Sequence, residues 1–323
     1  MTRHPMPREH RILITGASGF VGSWLLRELD KRRLEQGADL IVLTAGQGDV
    51  SDWKIDITDR DRVATLIRDC RPTAVVHLAA VSAPTTARRE PARAWAVNFQ
   101  GTMNLAEAVI KNSPEARFIF ASSSEVYGQS FEVQAGMPVD ENVVLKPTTT
   151  YGATKAAADI LVGQLFHDGL RSVRFRPFNH TGPGQTESFV VPAFAKQIAQ
   201  IKAGLVEPVI KVGNLSAYRD FLDVRDVVRA YAAAALAEGP ELDGRVFNLA
   251  SGKPVQIKAI LEQLILSSGL DITVVTDPER VRPVEILRAT GNARAAHEAL
   301  DWMPATDLST TIADVLNDWT HRV

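Results

Sequence analysis

Five short segments rich in apolar residues recur over the first 180 residues of the chain, with helix-like stretches between them. They span residues 12–15, 40–44, 74–78, 118–121 and 173–176. A strand that is buried on both faces is apolar throughout rather than alternating, as in parallel sheets covered by helices. Strand and helix repeating in units of about 30 residues therefore predict an α/β fold with a doubly wound parallel sheet.

The chain changes character after residue 176, where Pro177, Gly182, Pro183 and Gly184 interrupt the pattern just beyond a predicted strand. Ligands of open parallel sheets bind at the carboxyl ends of the strands, so this segment is predicted to bind the substrate. The alternative is a plain connection between two elements.

A helical pattern returns over residues 188–204, and residues 246–249 predict a strand that rejoins the main sheet. We therefore expect two interwoven parts. Residues 1–180 and about 245–269 are predicted to form a dinucleotide-binding domain. Residues from about 181 to 244 and from 270 to 323 are predicted to form a smaller α/β substrate-binding lobe.

Charge and composition exclude several classes of partner. The chain carries 36 basic and 38 acidic side chains, a formal net charge of -2, so neither nucleic acid nor a membrane surface is an expected partner. Cys70 is the single cysteine, and no Cys/His cluster has the spacing of a metal site, so no metal is expected. Residues 1–10 lack the apolar core of a secretory signal, and no segment reaches the roughly 18 apolar residues of a membrane span. These observations predict a cytoplasmic protein.

A glycine-rich segment, Gly-Ala-Ser-Gly-Phe-Val-Gly at residues 16–22, stands between the first predicted strand and a helix. Its first glycine permits a tight turn, its second lets backbone amides approach a pyrophosphate, and its third allows helix and strand to pack closely. The phosphates then meet the unpaired amides and the dipole of the helix N-terminus. This variant of the dinucleotide fingerprint predicts a Rossmann-type site. The predicted contacts are Gly16, Ser18, Gly19, Phe20, Val21 and Gly22.

Two further segments suit the same ligand. Asp56 and Ile57, at the end of a third short strand, are predicted to hold the adenine edge. Leu78, Ala79 and Ala80 are predicted to line the nicotinamide ribose. An NAD site usually has an acidic residue at the end of the second strand, and an NADP site a nearby Arg. Residues 44–47, Thr-Ala-Gly-Gln, provide neither, so the predicted cofactor is NAD or NADP.

Tyr151 and Lys155 are four residues apart, so a helix places the phenol and the ammonium on one face. A phenol with a pKa of about 10 transfers protons poorly at neutral pH, and a neighbouring cation lowers that pKa. Tyr151 can then act as general acid toward a carbonyl oxygen that receives a hydride, or as base in the reverse direction. Lys155 can also bind the nicotinamide ribose. On its own, the same spacing often marks only a solvated helix face.

Three serines at residues 122–124, followed by Glu125, come directly after the predicted strand at 118–121. Strand ends on this side of the sheet face the cofactor, and a hydroxyl there can stabilise negative charge on a substrate oxygen. The alternative is a serine-rich turn whose hydroxyls cap backbone groups. Tyr127 is interpreted as a packing residue.

Together, the glycine loop, the Ser-Ser-Ser-Glu-Val-Tyr-Gly segment at 122–128 and the Tyr151/Lys155 pair resemble the extended short-chain dehydrogenase/reductases, the NAD-dependent epimerase/dehydratase family. The resemblance covers nearly the whole chain. It implies that Ser123, four residues before the Tyr-Gly pair, is the catalytic hydroxyl. It matches Asn98 to the family's asparagine near the active site, with helix-internal hydrogen bonding as the alternative.

Members commonly dimerise through the helix bearing Tyr151 and a long helix, here at roughly residues 91–111, which implies a homodimer.

The second half of the chain looks like the GDP-4-keto-6-deoxy-D-mannose reductases in segments that occur in the same order. These segments are residues 176–185, 194–198, 211–215 and 219–226. The likeness implies a GDP-sugar substrate and reduction of the C4 ketone of GDP-4-keto-6-deoxy-D-mannose by NADH or NADPH, a step toward GDP-D-rhamnose. Such a substrate requires cations at its pyrophosphate and polar groups around its base and sugar.

The family positions that the substrate would contact are Ser123, Asn179, Lys196, Arg219, Arg282 and Glu285. Lys196, Arg219 and Arg282 match positions at the nucleotide end, and Asn179 would lie near the sugar. Glu285 would contact a ribose or orient Arg282. For each of them a surface or intramolecular salt bridge is the alternative.

Glu125 is a further candidate catalytic residue and leaves two activities open. The GDP-mannose 4,6-dehydratases use a glutamate at this position to remove a proton beside the keto carbon. The reductases also carry Glu there, and Ser123 stands where the dehydratases usually have Thr. The alternatives are therefore a GDP-mannose 4,6-dehydratase or another nucleotide-sugar dehydratase or epimerase. A non-catalytic, redox-sensing NAD(P)-binding protein is the third possibility, but such proteins often lose the tyrosine or the lysine.

Overall fold

The computed structural model describes residues 10–36, 39–49, 51–280 and 286–323. The strands are β1 (His10–Thr15), β2 (Leu40–Gly46), β3 (Trp53–Lys54), β4 (Ala74–His77), β5 (Arg117–Ala121), β6 (Ser172–Pro177), β7 (Asn179–Thr181), β8 (Val209–Val212), β9 (Tyr218–Asp223), β10 (Val246–Leu249), β11 (Pro254–Gln256), β12 (Thr273–Thr276) and β13 (Arg288–Ala289). The helices are α1 (Phe20–Gln36), α2 (Arg60–Cys70), α3 (Pro84–Arg89), α4 (Pro91–Trp95), α5 (Thr102–Asn112), α6 (Ser130–Val133), α7 (Thr150–Leu165), α8 (Val190–Lys202), α9 (Val224–Leu236), α10 (Ile257–Ser268), α11 (Arg294–Leu300) and α12 (Leu308–Arg322). A π-helix (Ala96–Gly101) joins α4 to α5, and Ser124–Val126 and Pro278–Arg280 form 3-10 turns. Within the described residues, every helix is too short or too polar to cross a membrane.

Seven strands form the main sheet, in the order β3-β2-β1-β4-β5-β6-β10. β1 pairs in parallel with β2 and β4, β2 pairs with β3, and β5 pairs with β4 and β6. The strand order therefore reverses between β1 and β4, which is the switch point where doubly wound sheets bind their ligands. The predicted Rossmann-type sheet is confirmed, and all five predicted strands, with the strand at 246–249, lie in it.

Helix α2 shows how the sequence sets the limits of one element. The Asp59 carboxylate caps the helix by accepting the amide N–H of Arg62, and Arg71 ends it in the left-handed conformation with φ 46°. Four apolar residues between these ends recur with helical spacing and are buried: Val63, Leu66, Ile67 and Cys70. Cys70 is thus a buried helix-end residue, and burial raises the pKa of its thiol to about 11.

Two compact units divide the chain, and the first comprises Met1–Ser123, Ala153–Arg176 and Val228–Phe247. It contains most of the main sheet. Every residue of β4 is buried, as are four of the five residues of β5. Helices α2, α5 and α7 cover these strands with apolar side chains such as Leu66, Leu105 and Val162. Burial of each such side chain stabilises the fold by about 1.5–3 kcal/mol, so the sheet is a firm base for the residues at its edge.

The second unit comprises Ser124–Gly152, Pro177–Val227 and Asn248–Val323, nearly half of the chain. In it β9 pairs antiparallel with β11 and parallel with β7 and β13, and β8 pairs with β12. Helices α8, α10 and α12 share one apolar core, which includes Phe194, Ile260 and Trp319.

The boundaries of the two units differ from those of the predicted domains. Residues 228–244 were expected in the substrate lobe, but they belong to the first unit because α9 packs on the sheet, where Tyr231 contacts Phe175. Residues 124–152 and 248–269 were expected in the dinucleotide domain, but they belong to the second unit, whose core contains Ile260 of α10. The assignment of cofactor to one part and substrate to the other stays a prediction.

Tyr127 connects three segments of the second unit. Its ring is fully buried and meets Phe131 edge-on, with the ring centroids 5.8 Å apart. Its hydroxyl donates to Asn248 Oδ1 at 2.7 Å, and Asn248 Nδ2 donates to the Val139 carbonyl at 3.0 Å. The structure therefore places Tyr127 in the core, as the sequence interpretation has it.

We expect Tyr127→Phe to lower the free energy of unfolding by about 1–2 kcal/mol, because Asn248 Oδ1 then loses its donor inside the protein. Urea denaturation measures the change. Tyr127→Leu, which also removes the ring, is the control for lost packing and should destabilise more. A Tyr127→Phe protein with full stability and no turnover would contradict the packing role.

Candidate active site

The glycine loop follows β1 and leads directly into α1. Gly16 has φ 78°, a left-handed conformation that disfavours side chains, and a Cβ there would lie 2.7 Å from the Ala79 amide nitrogen. A Cβ at Gly22 would lie 2.4 Å from the Gly16 carbonyl oxygen. Both distances are far inside van der Waals contact, so neither position accepts a side chain. The tight turn and the close packing of helix on strand predicted for these glycines are present, and the loop fits a pyrophosphate at the start of α1.

The exposed top of this loop is formed by Ser18 and Gly19, and Phe20 and Val21 begin α1. The segment after β2 lies against the loop, because a Cβ on Gly48 would come 2.4 Å from Ser18 Oγ. A dinucleotide at the loop would therefore also pass close to the end of β2.

Asp56 lies two residues beyond β3, which ends at Lys54, and its side chain is exposed. Its carboxylate accepts the backbone N–H of Thr58 at 2.9 Å, the Thr58 hydroxyl at 2.8 Å and Gln47 Nε2 at 3.0 Å. The backbone and side-chain bonds from Thr58 hold the pKa of Asp56 below its usual range. The neighbouring Ile57 is buried, so only the acid of this predicted pair presents its side chain to solvent.

A buried chain of hydrogen bonds runs from β1 to the π-helix within the first unit, through Thr15, His77, Thr102 and Asn98. Thr15 Oγ1 lies 2.7 Å from His77 Nδ1, and Thr102 Oγ1 lies 2.9 Å from His77 Nε2. Because Thr102 donates its single proton to the Asn98 carbonyl at 2.7 Å, it accepts the Nε2 proton, and Nδ1 accepts from Thr15. Burial, aided by the charge of Lys155, lowers the pKa of His77 to about 3, so the ring is neutral at physiological pH. The donor and the acceptor of each hydrogen bond in this chain are therefore fixed.

Asn98 belongs to the π-helix, and its side chain is buried. The side chain forms hydrogen bonds to residues outside this helix, so its bonding is not purely helix-internal. Its Oδ1 accepts the Val81 N–H at 2.8 Å, and its Nδ2 donates to the Val81 carbonyl at 3.3 Å and to Thr154 Oγ1 at 3.0 Å. Asn98 thus ties the segment after β4, which carries Leu78, Ala79 and Ala80, to α7. π-Helical turns are frequent at functional sites because they redirect a side chain in this way.

Lys155 lies on α7 beneath the end of β5 and is buried, with 3% of its surface exposed. Its Nζ donates to the Ala121 carbonyl at 2.7 Å and lies 4.9 Å from the centroid of the Phe120 ring. Burial lowers the pKa of Lys155 to about 8, against the charge of Asp159, which raises it. Ser123 lies two residues beyond Ala121 and is also buried. The ammonium is therefore anchored at the edge of the sheet where the sequence predicts the reaction.

Tyr151 lies in the first turn of α7, one turn before Lys155, so the predicted common helix is present. Thr149 Oγ1 caps this turn by accepting the Gly152 N–H at 3.0 Å, and it donates to Glu125 Oε2 at 3.3 Å. A Cβ on Gly152 would lie 2.7 Å from the Glu125 carbonyl oxygen, so glycine permits this close approach. Within the second unit, the turns that carry Tyr151 and Glu125 are thus in direct contact.

Arg219, predicted at the nucleotide end, lies in the second unit near Glu125. Its Nη1 donates to the carbonyls of Tyr218 at 2.8 Å and Ile286 at 3.0 Å. Burial lowers the pKa of Arg219, and the negative charge of Glu125 partly offsets that effect. The guanidinium is thus held by backbone oxygens within electrostatic reach of the candidate acid–base residue.

The other predicted substrate residues are spread over the second unit. Asn179 begins β7 and is exposed. Lys196 forms an ion pair with Glu187, Nζ to Oε1 2.8 Å, which is the intramolecular bridge named as its alternative. Arg282 and Glu285 lie outside the described residues. Their proposed contacts with a substrate stay predictions.

The sequence reasoning missed the buried groups that support these residues. His77 ends an apolar strand and resembles an ordinary core residue in sequence. Asp159 is four residues after Lys155, so the spacing that singled out Tyr151 and Lys155 could have found it too. Thr102 and Thr154 carry no such signal.

Comparison with known proteins places the chain in a family. A model of the GDP-mannose 4,6 dehydratase family matches residues 13–315. GDP-6-deoxy-D-mannose reductase of Pseudomonas aeruginosa is 34% identical over 314 residues, covering 97% of this chain and 98% of the relative. GDP-mannose 4,6-dehydratase of Yersinia enterocolitica is 26% identical, covering 95% and 92%. The solved structure of RMD from Pseudomonas aeruginosa complexed with NADPH has a TM-score of 0.86 and 33% identity, covering 97% and 100%.

Fold, site and these matches together define an NAD(P)-dependent nucleotide-sugar enzyme of the extended short-chain dehydrogenase/reductase type. The resemblance predicted from the sequence is confirmed. The chain belongs to the GDP-mannose 4,6-dehydratase family, whose matched relatives include both a reductase and a dehydratase.

We expect Gly22→Ala to weaken cofactor binding at least tenfold, because a Cβ 2.4 Å from the Gly16 carbonyl must displace the glycine loop. Titration calorimetry with NADPH and NADH measures the change.

Gly269→Ala is the matched control. Its φ is 69° and a Cβ there meets open space, so backbone strain arises in the second unit without contact to the loop. Equal loss of affinity in both variants would show general destabilisation and contradict the role of Gly22.

Proposed function

We propose that this enzyme reduces the C4 ketone of GDP-4-keto-6-deoxy-D-mannose to give GDP-6-deoxy-D-mannose, also called GDP-D-rhamnose, with NADPH or NADH as the hydride donor. The observation that carries the proposal is the 34% identity to a GDP-6-deoxy-D-mannose reductase along almost the full length of both chains. The placement of Lys155 at the end of β5, one helical turn from Tyr151, supports the carbonyl chemistry that such a reaction needs.

The cofactor would be held by the glycine loop and by the residues that follow the carboxyl ends of β3 and β4. Backbone amides at Gly16–Gly22 would take the pyrophosphate, Asp56 and Ile57 the adenine side, and residues 78–80 with Asn98 the nicotinamide side. A reduced nicotinamide supplies the hydride when bound. The chain has to hold the ring at the sheet edge and provide a proton for the oxygen.

Ser123, Tyr151 and Lys155 divide the work at that oxygen. The Ser123 hydroxyl would donate a hydrogen bond to the C4 oxygen as negative charge develops there. Tyr151 would transfer its proton to the same oxygen, and the Lys155 ammonium would stabilise the resulting phenolate. At the nucleotide end Lys196, Arg219 and Arg282 would face the phosphates and base, with Asn179 and Glu285 at the sugars.

Incubation of the purified enzyme with GDP-4-keto-6-deoxy-D-mannose and reduced cofactor tests the proposal. We expect equimolar consumption of cofactor and ketone, followed by absorbance and by mass spectrometry of a product heavier by two hydrogens. The absence of consumption with both NADPH and NADH would contradict the reductase assignment.

Tyr151→Phe removes the proposed acid and keeps the ring. We expect kcat to fall at least 100-fold, because general acid catalysis contributes about that much or more, while the dissociation constant of the cofactor stays within about threefold. Thr150→Val, at the preceding residue of the same helix, is the control for local disturbance. Unchanged turnover of Tyr151→Phe would remove Tyr151 from the mechanism.

A GDP-mannose 4,6-dehydratase is the second candidate, and the contact between the turns that carry Glu125 and Tyr151 favours it. A carboxylate beside the catalytic tyrosine can take a proton next to a keto carbon. This activity would convert GDP-mannose with loss of one water and no net use of cofactor. Glu125→Gln separates the two: a dehydratase loses its activity, whereas the reductase keeps most of its kcat, because no carbon-bound proton is removed in ketone reduction.

We also propose a cytoplasmic homodimer. In the first unit, α7 exposes Ile160 and α4 exposes Trp95, with 60% and 42% of their surfaces accessible. Exposed large apolar side chains on these two helices suit a contact with a second copy. Light scattering coupled to gel filtration measures the mass, and a monomer at micromolar concentration would contradict the dimer.

A further inference from the structure

Tyr151, Lys155 and Asp159 occupy successive turns of one face of α7. Asp159 is completely buried and takes no part in the proton and hydride transfers of the proposed reaction. Burying a carboxylate costs free energy unless the group is paired and hydrogen-bonded, so the partners of Asp159 determine whether it is charged.

Two arginines of β6 hold Asp159 in place. Arg176 binds it with both ends of the guanidinium, Nε to Oδ2 2.9 Å and Nη2 to Oδ1 2.9 Å, and Arg174 Nη1 donates to Oδ1 at 3.1 Å. Burial alone would raise the pKa of Asp159, but the bond from Arg176 and the two positive charges hold it below its usual range. Asp159 is therefore a fixed negative charge at every pH at which the enzyme would work.

The surroundings of Lys155 in the first unit contain little else that stabilises a cation. On β5 the Ala121 carbonyl accepts its proton and the Phe120 ring lies beside it. On β4 the nearest titratable group is His77, which is buried and neutral. Among the described residues, Asp159 is the only acidic group whose charge favours the ammonium, one turn away on the same helix.

We propose that Asp159, clamped by Arg174 and Arg176, is a positioning residue that keeps the buried Lys155 side chain charged. The proposal rests on the proposed function, in which the Lys155 ammonium stabilises the Tyr151 phenolate. The proposal gives a functional reason for the buried cluster of Asp159, Arg174 and Arg176. Stability alone does not require such a cluster, since well-packed apolar residues often stabilise a core as well as a buried ion pair does.

The attraction between the Asp159 carboxylate and the Lys155 ammonium determines how the enzyme should respond to pH. Burial lowers the pKa of Lys155 to about 8, so the ammonium loses its proton as the pH rises through that value. Without the Asp159 charge the pKa falls further, and the proton is lost at a lower pH. The alkaline limb of the kcat profile should therefore move to lower pH.

The decisive experiment titrates Lys155 directly by NMR in protein that carries isotope-labelled lysine, with Lys155→Arg to assign its signal. We expect the wild-type signal to titrate near 8. In Asp159→Asn we expect the pKa of Lys155 to fall by about one, which is a tenfold increase in the acid dissociation constant of its ammonium. Asp159→Glu, which keeps the charge, should stay close to the wild type. An unchanged pKa in a folded Asp159→Asn protein would overturn the proposal.

Arg174→Gln is the matched control, because it disturbs the same cluster and leaves Arg176 on the carboxylate. Its Lys155 should titrate near the wild-type value, and a drop equal to that of Asp159→Asn would show general loosening and refute the proposal. If Asp159→Asn does not fold, the double variant Asp159→Asn, Arg174→Gln removes one negative and one positive charge and leaves the net charge of the cluster unchanged. The pKa of Lys155 should still fall in it, by less than in Asp159→Asn, because Asp159 lies one turn from Lys155 on the same helix. An unchanged pKa would overturn the proposal.

The titration requires no substrate, so its outcome is independent of the reductase assignment. A fall in the Lys155 pKa without any ketone reduction would contradict the proposed function and leave the role of Asp159 intact. Ketone reduction with an unchanged Lys155 pKa in Asp159→Asn would do the reverse.

Discussion

The hydrogen bond from the Lys155 ammonium to the Ala121 carbonyl is the interaction on which the candidate site depends. It joins α7 to the last residue of β5, a buried strand that lies between β4 and β6 in the main sheet. The helix that carries Lys155 also carries Tyr151, and the segment that leaves β5 carries Ser123 and Glu125. An isolated ammonium would not remain charged in such a place, so the carbonyl, the Phe120 ring and the Asp159 charge together make the arrangement possible.

A network of uncharged, buried side chains also holds the candidate site in place. The chain of hydrogen bonds from Thr15 through His77 and Thr102 to Asn98 runs beneath the residues that follow β1 and β4. Because buried hydrogen-bonding groups are costly when left unpaired, each member fixes the next. The glycine loop begins one residue after Thr15, and Asn98 also bonds to Thr154, the neighbour of Lys155. The residues that follow β1 and β4 are therefore connected to α7 through buried side chains of the first unit.

Local signals made much of the fold predictable. Most strands of the main sheet have largely apolar sequences, and the glycines at 16 and 22 stand where a Cβ cannot fit. The Tyr151/Lys155 pair followed from helical spacing. Sequence could not show that residues 228–244 belong to the first unit, because that depends on tertiary packing such as the contact of Tyr231 with Phe175. Nor could it show that Lys196 pairs with Glu187, or that the helix around Asn98 widens into a π-helix, because both depend on tertiary contacts.

Isotope tracing tests the proposed transfer of a hydride to the C4 carbon of a GDP-linked keto sugar. Reduction with cofactor that carries deuterium on its transferable position should place one deuterium on C4 of the sugar, seen by NMR of the product. Deuterium that is absent from C4, or present at another carbon of the sugar, would contradict this hydride transfer.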